Sequence, residues 1–403
     1  MIARTIVHGL LSRVLNGSLT VVENGRETVF TRGRPGPEAT VVVHSPEAWP
    51  LLLKGSSGLG ESYARGLWDC NDLTALIRVA ARNTTELDAW RRRLTPLREP
   101  FQRLRSVRNT EHQSKQDISA HYDIGNDLYE LMLDPTMSYS SAFFAEPDMT
   151  LEEASTAKLE LICEKLDLGP QDHVVEIGTG WGGFAVHAAL TRGCRVTTTT
   201  ISDEQLRYAR ERVRATGVDH LVTVLDRDYR LLEGQYDKLV SIEMIEAVGW
   251  RDFGTFFAKC SDLLKPDGQM LLQAITMDDR AYQVEKMSRS FIRTFIFPNG
   301  CLPSVEVIAR AVASDTDLRL TGVEDLTGHY PETLRRWRAN FEAHADELEA
   351  AGYDERFRRI WRMYLAYCEA GFTERRISVL QVVLSKPRHR AGEIGTARAM
   401  ITA

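Results

Sequence analysis

The residues Val174-Val175-Glu176-Ile177-Gly178-Thr179-Gly180-Trp181-Gly182-Gly183-Phe184 read as an apolar strand ending in a glycine-rich bend that opens a helix. Glycines at such a bend let the backbone take unusual dihedrals and approach a ligand closely. The carboxyl end of a strand is where open α/β sheets bind their ligands. The spacing is not G-x-G-x-x-G, and Trp181 leaves little room for a pyrophosphate. Acidic-x-Gly-x-Gly suits S-adenosylmethionine, with Glu176 near its methionine end and Gly178, Gly180, Trp181 and Gly182 forming the bend. A purely structural tight turn is the competing account. A second strand candidate ends Thr200-Ile201-Ser202 ahead of Gln205, where a polar side chain can reach a ribose hydroxyl. Asp228-Tyr229 follows a third candidate and is placed to meet an adenine edge, although such a pair alone is more often plain surface.

Elements of two kinds must position these residues. From about Leu151, strand candidates Val174–Ile177, Arg195–Ile201, Lys238–Ile242 and Gln269–Ile275 alternate with helical stretches such as Asp203–Thr216. That alternation predicts a parallel α/β sheet covered on both faces. Before residue 110 the elements are short. Leu19–Glu23 and Glu27–Thr31 joined through Asn24-Gly25 predict a hairpin, Ala39–His44 a strand, and Asp72–Arg92 a helix. Ile2, Ile6, Leu10 and Val14, with Leu11 and Leu15 beside them, suit an amphipathic helix. The expected division is an N-terminal unit (1–95), a linker (96–115) marked by Pro96 and Pro100, a main domain (116–388) and a loose tail (389–403).

The chain of 403 residues is 43% hydrophobic and 26% charged, with a net charge of -6. This is ordinary globular composition, which excludes collagen, a disordered chain and a coiled-coil rod. No run of about 18 apolar residues predicts a transmembrane helix. The N-terminus does not read as a signal peptide, because Arg4, His8 and Arg13 interrupt its apolar residues. Six scattered cysteines without C-x-x-C predict neither a disulfide framework nor a metal site and point to a reducing cytoplasm. Charge is uneven: Met1–Lys115 holds 17 Lys/Arg against 11 Asp/Glu. Arg91, Arg92, Arg93, Arg98, Arg103, Arg105, Arg108 and Lys115 face only Glu99 and Glu111. Such a stretch can hold an anionic membrane surface at about 1 kcal/mol per basic residue. Nucleic acid and a merely solvated helix face are the alternatives. No zinc-finger or RNA-binding signature accompanies the stretch, so no nucleic-acid partner is expected.

Several longer segments resemble one family, the cyclopropane-fatty-acyl-phospholipid synthases and their relatives the mycolic acid methyltransferases. They are Gly58-Leu-Gly-Glu-Ser-Tyr63, His121-Tyr-Asp-Ile-Gly-Asn-Asp127, Asp134-Pro-Thr-Met-Ser-Tyr-Ser140, Glu176–Gly183, Phe297-Pro-Asn-Gly-Cys-Leu-Pro-Ser304 and Gln381-Val-Val-Leu384. The resemblance implies a Rossmann-like class I methyltransferase fold with a mostly parallel sheet, plus a smaller mixed α/β N-terminal domain. It implies S-adenosylmethionine-dependent methyl transfer to the cis double bond of an unsaturated phospholipid acyl chain. The product is then a cyclopropane or a methylene-branched chain. A bound bicarbonate is the family's base. Tyr122, Tyr139, Ser140, Gly178 and Gln205 match cofactor-binding positions. Glu246 matches the carboxylate that orders the bicarbonate site, Tyr330 the tyrosine that donates to bicarbonate, and Ile275 a position contributing its backbone. The apolar stretch Phe291–Phe297 suits an acyl channel or lid, or ordinary core. The resemblance further implies a peripheral enzyme at the inner membrane face, with a homodimer among its assemblies.

Three positions depart from the family pattern. Ser141 stands where Cys is usual, Gln273 where His is usual, and Ala247 where His follows the matched glutamate. A backbone N–H at Ser141 can replace the cysteine contact. Gln273 matters more, because glutamine hydrogen-bonds but cannot carry charge near neutral pH. Glu146, just after Phe143-Phe144, is a candidate contributor near the cofactor. The altered base site inclines the reading toward the methylene-branching members. Two other accounts are a methyltransferase acting on a small soluble acceptor and a non-catalytic lipid- or cofactor-binding relative.

Overall fold

The computed structural model describes residues 2–83, 125–286 and 288–390. Tyr122 and the basic stretch from Arg91 to Lys115 lie outside the described residues, as do the expected helix beyond residue 83 and residues 391–403 of the tail.

The main sheet has seven strands: β5 (His173–Ile177), β6 (Arg195–Thr200), β7 (Val222–Asp226), β8 (Tyr236–Ile242), β9 (Leu264–Met277), β10 (Arg319–Asp325) and β11 (Ile377–Ser385). Their spatial order is β10-β11-β9-β8-β5-β6-β7. The five strands from β7 to β9 are mutually parallel, and β11 and β10 add antiparallel pairs at the far side. Val174, Val175, Leu239 and Val240 at its centre are wholly buried, as expected of central parallel strands covered on both faces. The order reverses between β5 and β8. Helices leave the two strands for opposite faces there and open a crevice at their carboxyl ends. The expected class I methyltransferase architecture is therefore present. The predicted strands recur within five residues at their ends; Trp68–Cys70, β10 and β11 were not anticipated as strands, and β7 only as the candidate ahead of Asp228, without bounds.

A second sheet of four strands, in the order β2-β1-β3-β4, is built from β1 (Asn16–Glu23), β2 (Arg26–Phe30), β3 (Arg34–Val43) and β4 (Trp68–Cys70). Asn24 and Gly25 turn the predicted hairpin with φ of 52° and 74°, the left-handed pair that a two-residue hairpin loop needs. The N-terminal helix Ile2–Leu11 forms as expected, but its apolar stripe is not a core face. Ile2, Ile6 and Leu10 are 80%, 47% and 55% exposed, while Val7, one residue off the stripe, is buried. Val14 is buried beyond the helix end.

The two sheets meet through helices. Helix Ser56–Ala64 packs on helix Glu355–Thr373 and on the short helix Phe291–Phe295. A Cβ on Gly60 would lie 2.2 Å from the Phe291 ring, so only glycine permits that approach. Arg359 donates to the carbonyls of Tyr63 and Trp68 at 2.6 and 2.8 Å, and Thr74 donates to Glu369 at 3.0 Å. Beyond β11, Lys386 and Arg388 bond back to Gly268 and Pro266, and His389, the first residue of the expected tail, donates its N–H to the Lys386 carbonyl. Among the described residues no helix is long and apolar enough to cross a membrane.

Candidate active site

Two cavities converge at the carboxyl ends of β5 and β8. The first is a cleft lined by Tyr139, Ser140, Glu176, Gly178, Gln205 and Asp228, among others. Gly178 holds φ +100°, and its N–H bonds the Thr199 carbonyl, which folds the bend back over β6. Gly182 then caps helix Gly183–Arg192 in the left-handed conformation. Trp181 is buried, donates to Asn126 at 2.9 Å and lies against Tyr129. Thr200 donates to Gln205 at 3.0 Å, and Ser202 caps the helix carrying Gln205. Asp228 is held by Arg230, and the Tyr229 ring rests edge-on against Phe256. The glycine bend brings main chain to the cleft, with polar groups beyond β6 and β7 at its other end. An elongated ligand with a charged head and a ribosyl-adenine tail fits that arrangement, as expected for S-adenosylmethionine.

The second cavity has a volume of about 970 Å³. Its walls come from the N-terminal sheet and helices (Val7, Leu19, Val43, Trp49) and from the main domain (Ile292, Phe297). It ends against Glu243, Glu246, Ile275 and Tyr330. Tyr139, Glu243 and Ala247 line both cavities, so the two meet there.

At that junction the side chains are tightly bonded. Glu243 follows β8 with φ +50°. Its Oε1 accepts from the Ser141 N–H at 2.9 Å and from Gln273 Nε2 at 2.8 Å. Its Oε2 accepts from the Tyr330 hydroxyl at 2.6 Å. Gln273 in turn accepts from Gln381 at 2.9 Å, and Gln381 accepts from Lys165 at 2.5 Å. Lys165 pairs with Glu324, so the glutamine amides are oriented from the protein surface inward. The Ile275 N–H donates to Glu246 Oε1 at 2.5 Å, while Glu246 Oε2 is buried without a partner. Burial raises both carboxyls, and the Glu243 charge helps push Glu246 up to about 8. Burial and the Glu243 charge hold the Tyr330 hydroxyl protonated far above the usual range. Lys158, buried on helix Leu151–Lys165, donates to Ser140 Oγ at 2.9 Å. Burial lowers its ammonium to about 8 against the pull of Glu243, Asp134 and Glu176.

The structure thus brings together Glu246, Tyr330, Gln273, Ser141 and Ile275, with Tyr139 and Ser140 beside them. Ser141 contributes its N–H only; its hydroxyl turns away to the Ala142 carbonyl. Glu146 is not brought in. It stands on an exposed turn ahead of the Thr150 capping box and lines neither cavity. The Ser141 N–H, the Gln273 amide and the Tyr330 hydroxyl, at positions the resemblance assigns to the bicarbonate site, all donate to Glu243. Sequence reading missed Glu243 and Lys158. The available signal was Glu243-Met-Ile-Glu246, two acidic residues three apart after an apolar strand.

These shifts predict a pH dependence of stability. Burial raises Glu176, like Glu246, to about 8. A raised carboxyl stabilises the fold fully below its unfolded pKa, and that stability drains as pH rises through the folded value. The lowered histidines His8, His173, His187 and His329 act below 6.5 and in the opposite sense. The melting temperature of the ligand-free protein is therefore expected to fall from pH 6.5 to pH 8. Glu176→Gln removes part of that fall, as a calorimetric series would record.

A family model described as mycolic acid cyclopropane synthetase matches residues 109–382. The chain is 40% identical over 358 residues to the tuberculostearic acid methyltransferase UfaA1 of Mycobacterium tuberculosis, covering 86% of this chain and 83% of that one. It is 39% identical over 353 residues to the cyclopropane-fatty-acyl-phospholipid synthase of Escherichia coli, covering 86% and 88%. Among solved structures, the cyclopropane synthase MmaA2 from Mycobacterium tuberculosis superposes with a TM-score of 0.63 at 33% identity, over 68% of this chain and 98% of that one.

Proposed function

We infer the function from one premise: the chain belongs to the mycolic acid cyclopropane synthetase family. It is an S-adenosylmethionine-dependent methyltransferase acting on the double bond of an unsaturated fatty acyl chain. The acceptor is a membrane phospholipid, and the product gains one CH2 as a cyclopropane or an exocyclic methylene branch. The observation that carries this reading is the meeting of the polar cleft with the 970 Å³ apolar cavity at Tyr139, Glu243 and Ala247. A small soluble acceptor has no use for a cavity of that size walled by Val7, Leu19, Val43 and Phe297.

S-adenosylmethionine, when bound, supplies a methyl group on a sulfonium. Gly178, Gly180, Tyr139 and Ser140 would hold its methionine end, with Glu176 beneath the bend. Thr200 and Gln205 would meet the ribose, and Asp228 and Tyr229 the adenine. The apolar cavity excludes water, which would otherwise quench a cation formed on the acyl chain. Tyr139, Tyr330, Phe297 and Tyr364 line it, and ring faces favour a nearby cation. The exposed Ile2, Ile6 and Leu10 adjoin Val7, Leu11 and Arg13 at this cavity. That face and the basic stretch 91–115 together suit an anionic bilayer, from which an acyl chain enters.

The test mixes purified protein, S-adenosylmethionine and vesicles of monounsaturated phosphatidylglycerol. Mass spectrometry is expected to show a gain of one CH2 per converted chain, and proton NMR separates ring from methylene. Vesicle binding is expected to weaken with added salt, because exposed basic charge is screened. Unchanged lipid, or product formed only from a soluble acceptor, would refute the reading.

A further inference from the structure

We propose that Glu243 is the catalytic base, its carboxylate occupying the place that the family resemblance gives to bicarbonate. The proposal rests on the methyl-transfer reading above and deepens it. Glu243 lines both cavities, so its carboxylate borders the place where methyl donor and acyl chain meet. Three donors converge on that carboxylate: the Ser141 N–H, the Gln273 amide and the Tyr330 hydroxyl, at 2.6–2.9 Å. A carboxylate and a bicarbonate are both small planar anions, and one donor set serves only one of them. With Glu243 bonded to all three donors, bicarbonate has no place.

The departures from the family pattern become coherent on this account. A base supplied by the chain itself needs Gln273 only to donate one N–H, and the Lys165–Gln381 chain turns that amide the right way. Ser141 needs only its backbone. The strand end carries Glu243 at φ +50°, a conformation uncommon for residues other than glycine. Such cost is typically retained where it positions a working group. Glu246 completes the picture. Two neighbouring buried carboxyls cannot both ionise, and the proton goes to the one with fewer donors. Glu246 has a single N–H donor and an unpartnered oxygen, so it is the neutral member and Glu243 the charged one.

The acyl π pair forms a bond to the methyl carbon while the carbon–sulfur bond breaks and sulfur keeps its pair. A cation remains on the acyl chain. One C–H bond of the transferred methyl then breaks, and its proton passes to a Glu243 oxygen. The freed pair closes the ring or, after a hydride shift along the chain, forms the exocyclic double bond.

The experiment assays the full-length enzyme on monounsaturated phosphatidylglycerol vesicles in buffer stripped of carbon dioxide, with and without added bicarbonate. Wild-type turnover is expected to agree within about twofold in the two buffers. Glu243→Gln is expected to lose at least about 100-fold in turnover, the scale of a missing general base, with S-adenosylmethionine affinity retained. Glu243→Gly suits the left-handed backbone and vacates the donors. Added bicarbonate is expected to restore its turnover at least about tenfold, part of what a general base supplies. A carbon-13 bicarbonate titration by NMR is expected to report binding to this variant and none to wild type. Bicarbonate-dependent wild-type turnover, bicarbonate bound to wild type, or near-normal Glu243→Gln turnover would overturn the assignment. Should both variants misfold, the two wild-type measurements still decide it. Wild-type protein that binds S-adenosylmethionine but leaves the lipid unchanged in both buffers would refute the functional reading itself, and the assignment with it.

Discussion

Gly178→Val is expected to weaken S-adenosylmethionine binding at least about 100-fold in a calorimetric titration. The backbone there sits at φ +100°, which a β-branched residue reaches only with strain of about 1–3 kcal/mol. A Cβ would also lie 3.0 and 3.1 Å from the Met244 side chain, which follows Glu243 at the end of β8. Strain and contact push the same way. The bend moves off its hydrogen bond to Thr199, and the ligand loses the surface against which its charged end would lie. A loss of about 3 kcal/mol corresponds to roughly 100-fold in affinity. Gly180→Ala is the internal comparison. Its φ is +52°, within the ordinary left-handed region, and nothing lies within 4 Å of an added Cβ. It should therefore cost about 1 kcal/mol, or several-fold in affinity. Equal losses at the two positions would mean that the bend does not read its ligand through Gly178.

What the sequence disclosed divides along local and long-range lines. The glycine bend, the Asn24-Gly25 hairpin and the β5 and β6 strands were legible because their signals are contiguous: left-handed dihedrals, apolar runs and turn residues. The β10 and β11 strands were missed because they pair antiparallel with each other and with β9 across wide separations, and β10 is largely exposed. The N-terminal helix was recognised, but periodicity alone could not say that Ile2, Ile6 and Leu10 face outward while Val7 carries the burial. At the site, the resemblance drew attention to Glu246 and passed over Glu243. The importance of Glu243 arises only when Ser141 and Tyr330, 102 and 87 residues distant in the chain, close around it. Glu146 had the opposite fate. Its neighbours Phe143 and Phe144 turn inward, yet the acidic side chain remains on the outer turn.

Lys158→Met is expected to lower the melting temperature by roughly 10 °C and to move the acid limb of the pH–rate profile upward. In sequence, Lys158 is one of several charged residues in the stretch that forms helix Leu151–Lys165. In the fold it is 1% exposed and donates to Ser140 Oγ, one residue from the Ser141 N–H that holds Glu243. The charges facing it are Glu243, Asp134 and Glu176. Thr136 and Ser155 bond Asp134, and Thr198 bonds Glu176, so both carboxyl groups keep neutral partners when the cation is removed. Even so, deleting one member of a buried charge cluster typically costs about 3–5 kcal/mol. At about 2–4 °C per kcal/mol for a chain of this size or somewhat smaller, that gives the expected fall. The effect on rate has a separate cause. A base works only when ionised, and Glu243 is already raised by burial, with Tyr330, Gln273, Ser141 and Lys158 holding it down. Loss of the Lys158 charge raises it further, so turnover at neutral pH drops and recovers in more alkaline buffer. Lys158→Arg keeps the charge and should leave the acid limb near its wild-type position even if packing suffers. A methionine variant that melts early but keeps the wild-type pH–rate profile would confine Lys158 to a structural part and separate it electrostatically from Glu243.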